Sequence, residues 1–480
     1  MDYKAIVKVL SSILIALALF FASEIVVGAF YHEKIFKLTI FISIFFTLSA
    51  FFWILTKDYR VNLHIKEGIL VVNLIWILIG IAGAFPLFLY TKVTFISAFF
   101  EAISGFTTTG ATVYSDIESL PHFILFHRSL MHWLGGLGVI VLGVGILSII
   151  NPSGSLTLFK AESTGIRLEK LSPKIKDTAI SLWLIYFALT VADTIFLKLF
   201  GMNWFDAINH AFSTISTGGF STKNASLGEF NNSAIFWITT FFMIISGINF
   251  LAHLKFLYGD SSGYKSEEVK SYLTIFFILS ILVTLTHDFV DGDSLFHSAT
   301  HSFFTIASVM TTTGFATTDY GLWSHSAIAL IFIAMLIGGN AGSTAGGVKV
   351  IRYIVIFKTL FGELKKILHP RATISVYIDK VKLKGDIISA VLGFFFLFIF
   401  TNVAISLYLY ARGFDALTSV SGALAIVGNI GPGFGLVGPA NNFAIFSDLD
   451  KILLSIGMII GRLECYTVYL LFSSYFWKKF

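Results

Sequence analysis

Charge is scarce in this chain. Only 13% of its 480 residues are Asp, Glu, Lys or Arg, against 56% hydrophobic and 16% aromatic. With a mean hydropathy of +0.84, there is too little polar surface to cover a soluble globule, so the chain is an integral membrane protein in a lipid bilayer. Cysteine is nearly absent. The single Cys465 excludes an intramolecular disulfide framework, and its apolar setting marks inert packing. Ser104 has no base or oxyanion donors around it in the sequence, which argues against a hydrolase, and the chain is not read as an enzyme. His297 and His301 are four residues apart but lack a third ligand for zinc, so they are expected to serve the hydrogen bonds of a buried helix. The net charge of +5 calls for no nucleic-acid partner. It is explained by the bias of cytoplasmic loops towards Lys and Arg.

What the chain does have is a set of polar strings buried in apolar surroundings. Thr107-Thr108-Thr109-Gly110 stands behind Phe99 and Phe100, and related strings recur at Ser216-Thr217-Gly218-Gly219, Thr311-Thr312-Thr313-Gly314 and, in degraded form, Gly428-Asn429-Ile430-Gly431. Thr and Gly are poor helix interiors, because one loses rotamer freedom and the other backbone entropy. Four copies mean four copies of a unit.

Each unit reads as an outer helix, a short semi-apolar helix, a string and a second long helix. The outer helices are expected at about Gly68 to Tyr90, Asp177 to Phe200, Val269 to Thr286 and Ile387 to Tyr410, and the short ones at Phe95 to Phe106, Phe205 to Ile215, Leu295 to Met310 and Phe414 to Val427. The second long helices are expected at Phe123 to Ile150, Ser233 to Leu257, Ser326 to about Phe361 and Lys451 to Trp477. An apolar hairpin, about Val9 to Phe30 and Phe36 to Leu55, precedes them. The expected division is therefore 1–66 for the hairpin, then 67–152, 153–260, 261–365 and 366–480. This predicts an all-α membrane protein with about ten spans and four re-entrant helices, since 11 to 16 residues are too few to cross.

The positive-inside rule puts the strings outside and both termini in the cytoplasm, with most of the 33 Lys and Arg residues inside, including the Lys160 to Lys176 and Lys365 to Lys384 loops. Non-helical backbone at this depth is tolerated only inside protein or along a water-filled cavity. Four such strings can meet on one axis, where their carbonyls would replace the water shell of a cation and the threonine hydroxyls would add acceptors. The short helices would turn their negative dipole ends to the same cavity. No carboxylate lies inside any string, which suits a monovalent ion better than Ca²⁺ or Mg²⁺.

Two features lie in the second long helices. Gly338-Gly339-Asn340-Ala341-Gly342-Ser343-Thr344-Ala345-Gly346-Gly347 puts five glycines in ten residues, each costing about 1 kcal/mol against Ala in a helix. It reads either as close helix packing through small residues or as a broken helix whose loop lies under the strings. It is not a phosphate-binding loop, because Val348 follows Gly347 and no Ser or Thr follows Lys349. Arg462, about 16 Å along a helix from Lys451, sits near mid-membrane and is a functional candidate by default. Glu464 is two residues away and does not face it, so carbonyls of the glycine run are its expected partners.

These strings, the glycine run through Val348-Lys349 and Gly461-Arg462-Leu463-Glu464 resemble the Trk/Ktr/HKT superfamily of potassium transport proteins, most closely its bacterial TrkH/TrkG branch. The resemblance covers all four units. It implies a K⁺ pathway in the bacterial inner membrane with a selectivity filter of one glycine per unit, K⁺ as the transported ion and no covalently bound cofactor. It further implies that Gly338, Gly339, Asn340, Gly342, Ser343, Thr344, Gly346, Gly347 and Arg462 form the gate. Relatives of this kind resemble homodimers on a cytosolic nucleotide-binding ring of the TrkA type, for which the basic loops are expected docking surfaces. Relatives that prefer Na⁺ carry serine at the position of Gly110. The second reading is a symporter that couples K⁺ to H⁺ or Na⁺ by alternating access.

Overall fold

The computed structural model of the chain describes residues 1–59, 61, 63–142, 175–291, 294–371 and 375–478. Two helices come first, α1 (Tyr3–Phe30) and α2 (Phe36–Thr56). Asp2 starts α1 by accepting the Ala5 N–H at 3.1 Å. Along α2 only Leu38, Ile42, Ser49 and Thr56 are buried, while Ile44, Phe46, Leu48, Phe51 and Leu55 are exposed. A helix apolar on its open faces belongs against lipid.

The first unit is α3 (Ile65–Tyr90), α4 (Phe95–Phe106) and α5 (His122–Leu142). The second is α6 (Ile175–Leu199), α7 (Trp204–Ile215), α8 (Ser233–Ser246) and α9 (Phe250–Leu257). The third is α10 (Glu267–Asp291), α11 (Leu295–Met310), α12 (His325–Ile337) and α13 (Val350–Leu368). A small antiparallel hairpin, β1 (Tyr377–Ile378) and β2 (Val381–Lys382), leads to the fourth unit, α14 (Gly385–Ala411), α15 (Ala416–Val427), α16 (Asp448–Arg462) and α17 (Tyr466–Tyr469). The protein is thus a predominantly helical, multi-pass membrane protein of repeated helix, re-entrant helix, helix units, in keeping with the all-α expectation apart from this one short hairpin among the described residues. Among the described residues, six helices are long and apolar enough to cross a membrane, or up to eight spans if each of two bent pairs counts as one. The interrupted pair α12 and α13 and the 21-residue α5 occupy the equivalent places in units three and one.

The short helices begin alike. Thr94, Asn203, Ser294 and Asp415 each accept the backbone N–H three residues on, from Ser97, Asp206, His297 and Thr418 at 3.1, 2.7, 3.4 and 2.9 Å. Such N-caps satisfy donors that a helix buried in protein cannot give to water.

Two second helices depart from the expected continuous spans. Ser233 to Leu257 bends by 92° between α8 and α9, and the last helix bends by 116° after Arg462. In the first, the Asn249 side chain caps a new helix by accepting the Leu251 N–H at 2.8 Å. In the second, Glu464 and Cys465 take left-handed φ values of 59° and 58°. The β hairpin is also absent from the sequence reading, because two residues per strand leave no alternation to read. The expected continuation of α5 to Ile150, most of the Lys160 to Lys176 loop and the boundary at 152 lie outside the described residues.

Candidate functional site: a four-part ring and the loop beneath it

All four short helices end in the same backbone motif. Thr108, Thr217, Thr312 and Asn429 are left-handed, with φ of 52°, 54°, 58° and 55°. Two residues on, Gly110, Gly219, Gly314 and Gly431 have φ of 81°, 85°, 82° and 96°. In the first unit Thr108 N–H donates to Gly105 O at 3.1 Å and Thr109 N–H to Ser104 O at 2.9 Å, and the same pair of bonds recurs in the other three. This closes the helix end and uses two of its carbonyls. Glycine usually fills the left-handed position. Holding Thr or Asn there costs about 1–3 kcal/mol and persists only where the surroundings over-determine it.

Those surroundings are the other units. A Cβ on Gly110 would stand 2.2 Å from Gly218 O, one on Gly219 1.9 Å from Thr313 O, one on Gly314 2.2 Å from Ile430 O, and one on Gly431 2.6 Å from Thr109 O. Each glycine abuts the carbonyl that precedes the glycine of the next unit, in the order one, two, three, four and back to one. The four strings therefore form a closed ring. A cavity of about 110 Å³ lies against it, lined by all four glycines together with Arg128, Lys223 and residues of the segments that follow each string.

Four of the threonine hydroxyls bond within their own units. Thr107 Oγ1 lies 2.7 Å from Thr109 Oγ1, and Thr311 Oγ1 lies 2.7 Å from Thr313 Oγ1. Thr107 and Thr311 also donate to the carbonyls of Ile103 and Ala307. A carbonyl one helical turn back is the nearest acceptor for a threonine at a helix end, so Thr107 and Thr311 brace the helices they end. In the fourth unit Asn429 Nδ2 donates to Thr109 Oγ1 at 2.9 Å and Met458 O at 3.0 Å. It ties the fourth string to the first.

The glycine run is a buried loop between α12 and α13, opened by Gly338 at φ 85°. Its backbone is satisfied by neighbours from several units. Gly346 N–H donates to Thr312 Oγ1 at 2.6 Å, and a Cβ on Gly346 would stand 2.4 Å from Gly428 O. Thr344 Oγ1 reaches Ile215 O at 3.1 Å and Ser246 O at 3.2 Å. The break between α8 and α9 supplies Gly247 O to Asn340 N–H at 2.9 Å and takes Gly342 O through Phe250 N–H at 3.1 Å. Arg462 donates from Nη1 to Thr344 O at 2.9 Å. Lys349 Nζ donates to Ala345 O, Arg352 Nη1 to Val348 O at 2.9 Å, and Ala341 N–H to Glu268 Oε1 at 2.6 Å. Glu464 pairs with Arg352 at 2.7 Å, not with Arg462. Thr108 Oγ1, both polar atoms of the Asn340 side chain, Asn429 Oδ1, and Nε and Nη2 of Arg462 are buried with no hydrogen-bond partner among the described residues.

The model of the TrkH family, described as a cation transport protein, matches residues 34–273 and 269–479. The chain belongs to the TrkH family. It is 37% identical to the Trk system potassium uptake protein TrkG of Escherichia coli K12 over 462 residues, covering 95% of this chain and 94% of that protein. It is 36% identical to TrkH of the same organism over 492 residues, covering all of both. The crystal structure of the potassium transporter TrkH from Vibrio parahaemolyticus superposes with a TM-score of 0.89 at 33% identity, again over both full lengths.

Within this TrkH-family chain, several side chains hold the ring from behind; of these the sequence reading singled out only His301, for the hydrogen bonds of its buried helix. Glu101, nine residues before Gly110, accepts Thr112 Oγ1 at 2.9 Å and Val113 N–H at 2.8 Å, and pairs with buried Arg128 at 2.9 Å. Arg128 in turn donates to Ser221 O at 3.1 Å, joining units one and two. At the equivalent place in unit two, His210 Nε2 lies 2.9 Å from Ser221 Oγ. Thirteen residues before their glycines, Asp206 accepts Thr222 Oγ1 at 2.6 Å, and His301 Nδ1 lies 2.7 Å from Thr317 Oγ1. In unit four Thr418 and Ser421 accept the N–H groups of Leu436 and Phe434. Counting back thirteen residues from the four aligned glycines gives Ser97, Asp206, His301 and Thr418, all polar in helices otherwise packed in apolar surroundings, whereas the position nine residues back carries the brace only in units one and two. His132 was missed too. Its ring fills the space that a Cβ on Gly218 would enter, 2.4 Å from His132 Cγ.

Thr312→Val keeps the shape of the side chain but removes the acceptor for Gly346 N–H. The lost bond is worth about 1–3 kcal/mol, so exchange of that amide in the purified protein should accelerate by roughly 5- to 150-fold. Unchanged protection at Gly346, measured by hydrogen exchange with fragmentation to single residues, would mean that the loop is held elsewhere.

Proposed function

We propose that this chain is the K⁺-translocating subunit of a Trk-type uptake system in the bacterial inner membrane, with both termini cytoplasmic. The observation that carries the proposal is the closed ring, in which four glycines each abut the carbonyl preceding the next. Thr107, Thr108, Thr109, Gly110, Ser216, Thr217, Gly218, Gly219, Thr311, Thr312, Thr313, Gly314, Gly428, Asn429, Ile430 and Gly431 form the selectivity filter, with the hairpin of residues 1–66 outside the four repeats. Backbone carbonyls without carboxylates replace the hydration of a monovalent cation. Gly110 in the first string favours K⁺ over Na⁺, by resemblance to K⁺-selective relatives. The names of the relatives, Trk system potassium uptake proteins, support the same ion.

The loop 338–347 with Arg462 is the gate. It lies against the strings of units three and four, and a guanidinium near the axis repels cations while the loop is docked. The partnerless polar atoms around the loop suit a hydrated cavity on the pathway. The working assembly is a homodimer on a cytosolic TrkA-type nucleotide-binding ring, docked through the basic loops.

Reconstituted protein should take up ⁸⁶Rb⁺ down its own gradient with no imposed H⁺ or Na⁺ gradient. Uptake that required either gradient would favour the symporter, for which the broken second helices are also suited. Gly110→Ser should admit Na⁺ at least tenfold faster relative to K⁺, read by isotope flux; unaltered discrimination would remove Gly110 from the filter. Deleting residues 342–346 should raise K⁺ flux severalfold, whereas the same flux in a folded variant would reduce the loop to packing.

A further inference from the structure

The cytoplasmic hairpin of β1 and β2 is tied to the loop by two separate routes that end on one residue. The polar route starts at the hairpin turn, where Asp379 Oδ1 accepts the Glu267 N–H at 2.9 Å and so holds the first residue of α10. Lys358 of α13 locks the same junction, donating to Glu267 Oε2 and to Tyr377 O of the hairpin. The next residue of α10, Glu268, is 2% exposed and accepts Ala341 N–H at 2.6 Å. The apolar route is a small cluster made of Ala341, Ile351, Val355, Ile378, Leu383, Ile387 and Val391, joined to the main core through half-buried Ile354, which packs on both. Ala341 is therefore held by its amide from α10 and packed on the hairpin's Ile378 cluster.

The hairpin is built to move as one piece. Asp379 and Lys380 are both left-handed, at φ 45° and 68°, the two-residue turn that matches strand twist. Leu383 N–H returns to Val376 O at 2.9 Å. Ile378 and Leu383 face the small core, while Lys380, Lys382 and Lys384 are exposed. A small cluster joined to the main core at one half-buried side chain costs less to displace than the continuous core around the ring.

We propose that the 376–383 hairpin is the handle of the loop: displacing it moves Ala341 through Glu268 and Ile378, and so sets how firmly the loop docks under the ring. This rests on the reading of residues 338–347 as the gate. The exposed lysines make the outer side basic, so the partner it fits is a cytosolic protein with an acidic face.

The single native cysteine is buried, so Lys382→Cys introduces one accessible thiol. With biotin-maleimide on that thiol, streptavidin should change ⁸⁶Rb⁺ flux in proteoliposomes at least threefold. Adding Ile378→Ala and Asp379→Ala should cut the change below 1.5-fold. The same label at Lys57→Cys, on the linker after α2, should do nothing. Complete conjugation at residue 382 with unaltered flux, or an equal effect at residue 57, would overturn the handle. Unaltered flux in the folded variant lacking residues 342–346 would instead overturn the gate reading on which it rests. Independently of flux, Asp379→Ala should accelerate exchange of the Ala341 amide at least tenfold while leaving Gly346 unchanged; equal protection at Ala341 would overturn the coupling.

Discussion

The structure depends on one constraint: backbone that is not helical, placed at membrane depth, must find its partners within the protein. The four strings meet it together. Each helix end closes on itself through two backbone bonds, and each string then lies so close to the next that no side chain fits between them. No single unit could bury such a string alone, which is why the ring and the fourfold repetition imply each other.

The ring then dictates what surrounds it. The strained left-handed Thr and Asn residues need support from behind, and each unit supplies it with a different group: a carboxylate paired to Arg128, a histidine with an aspartate, a histidine, or a pair of hydroxyls. Geometry is repeated while chemistry is not. Buried charge is used in the same way below. Glu268, Lys349, Arg352 and Arg462 each take a backbone group of the segment 341–348, so ions that would be costly in isolation hold an irregular loop in place.

Much of this could be read from the sequence. Thr107 to Gly110 and its counterparts announced themselves by recurrence, and the glycine density at 338–347 made an unbroken helix implausible. Arg462 could not face Glu464 on a helix, and its contact is Thr344 O. What stayed hidden was long-range or local in the wrong way. The breaks after Ser246 and Arg462 occur in apolar runs whose composition still favours a span, and only Asn249 and the left-handed Glu464 and Cys465 mark them. The braces at Glu101, His210 and Asp206 needed the four glycines aligned as a common origin, whereas His301 was already marked as a hydrogen-bonding residue of its buried helix. The hairpin at 377–382 is too short for a strand period, and its links to Glu267 and Ala341 join residues far apart in the chain.

The central claim is that a dehydrated monovalent cation sits within the ring. Crystals grown in Rb⁺ and measured at its absorption edge test this directly. The account predicts anomalous peaks on the axis framed by the carbonyls of Thr109, Gly218, Thr313 and Ile430. A well-ordered ring with no peak there, and Rb⁺ bound only elsewhere, would contradict it.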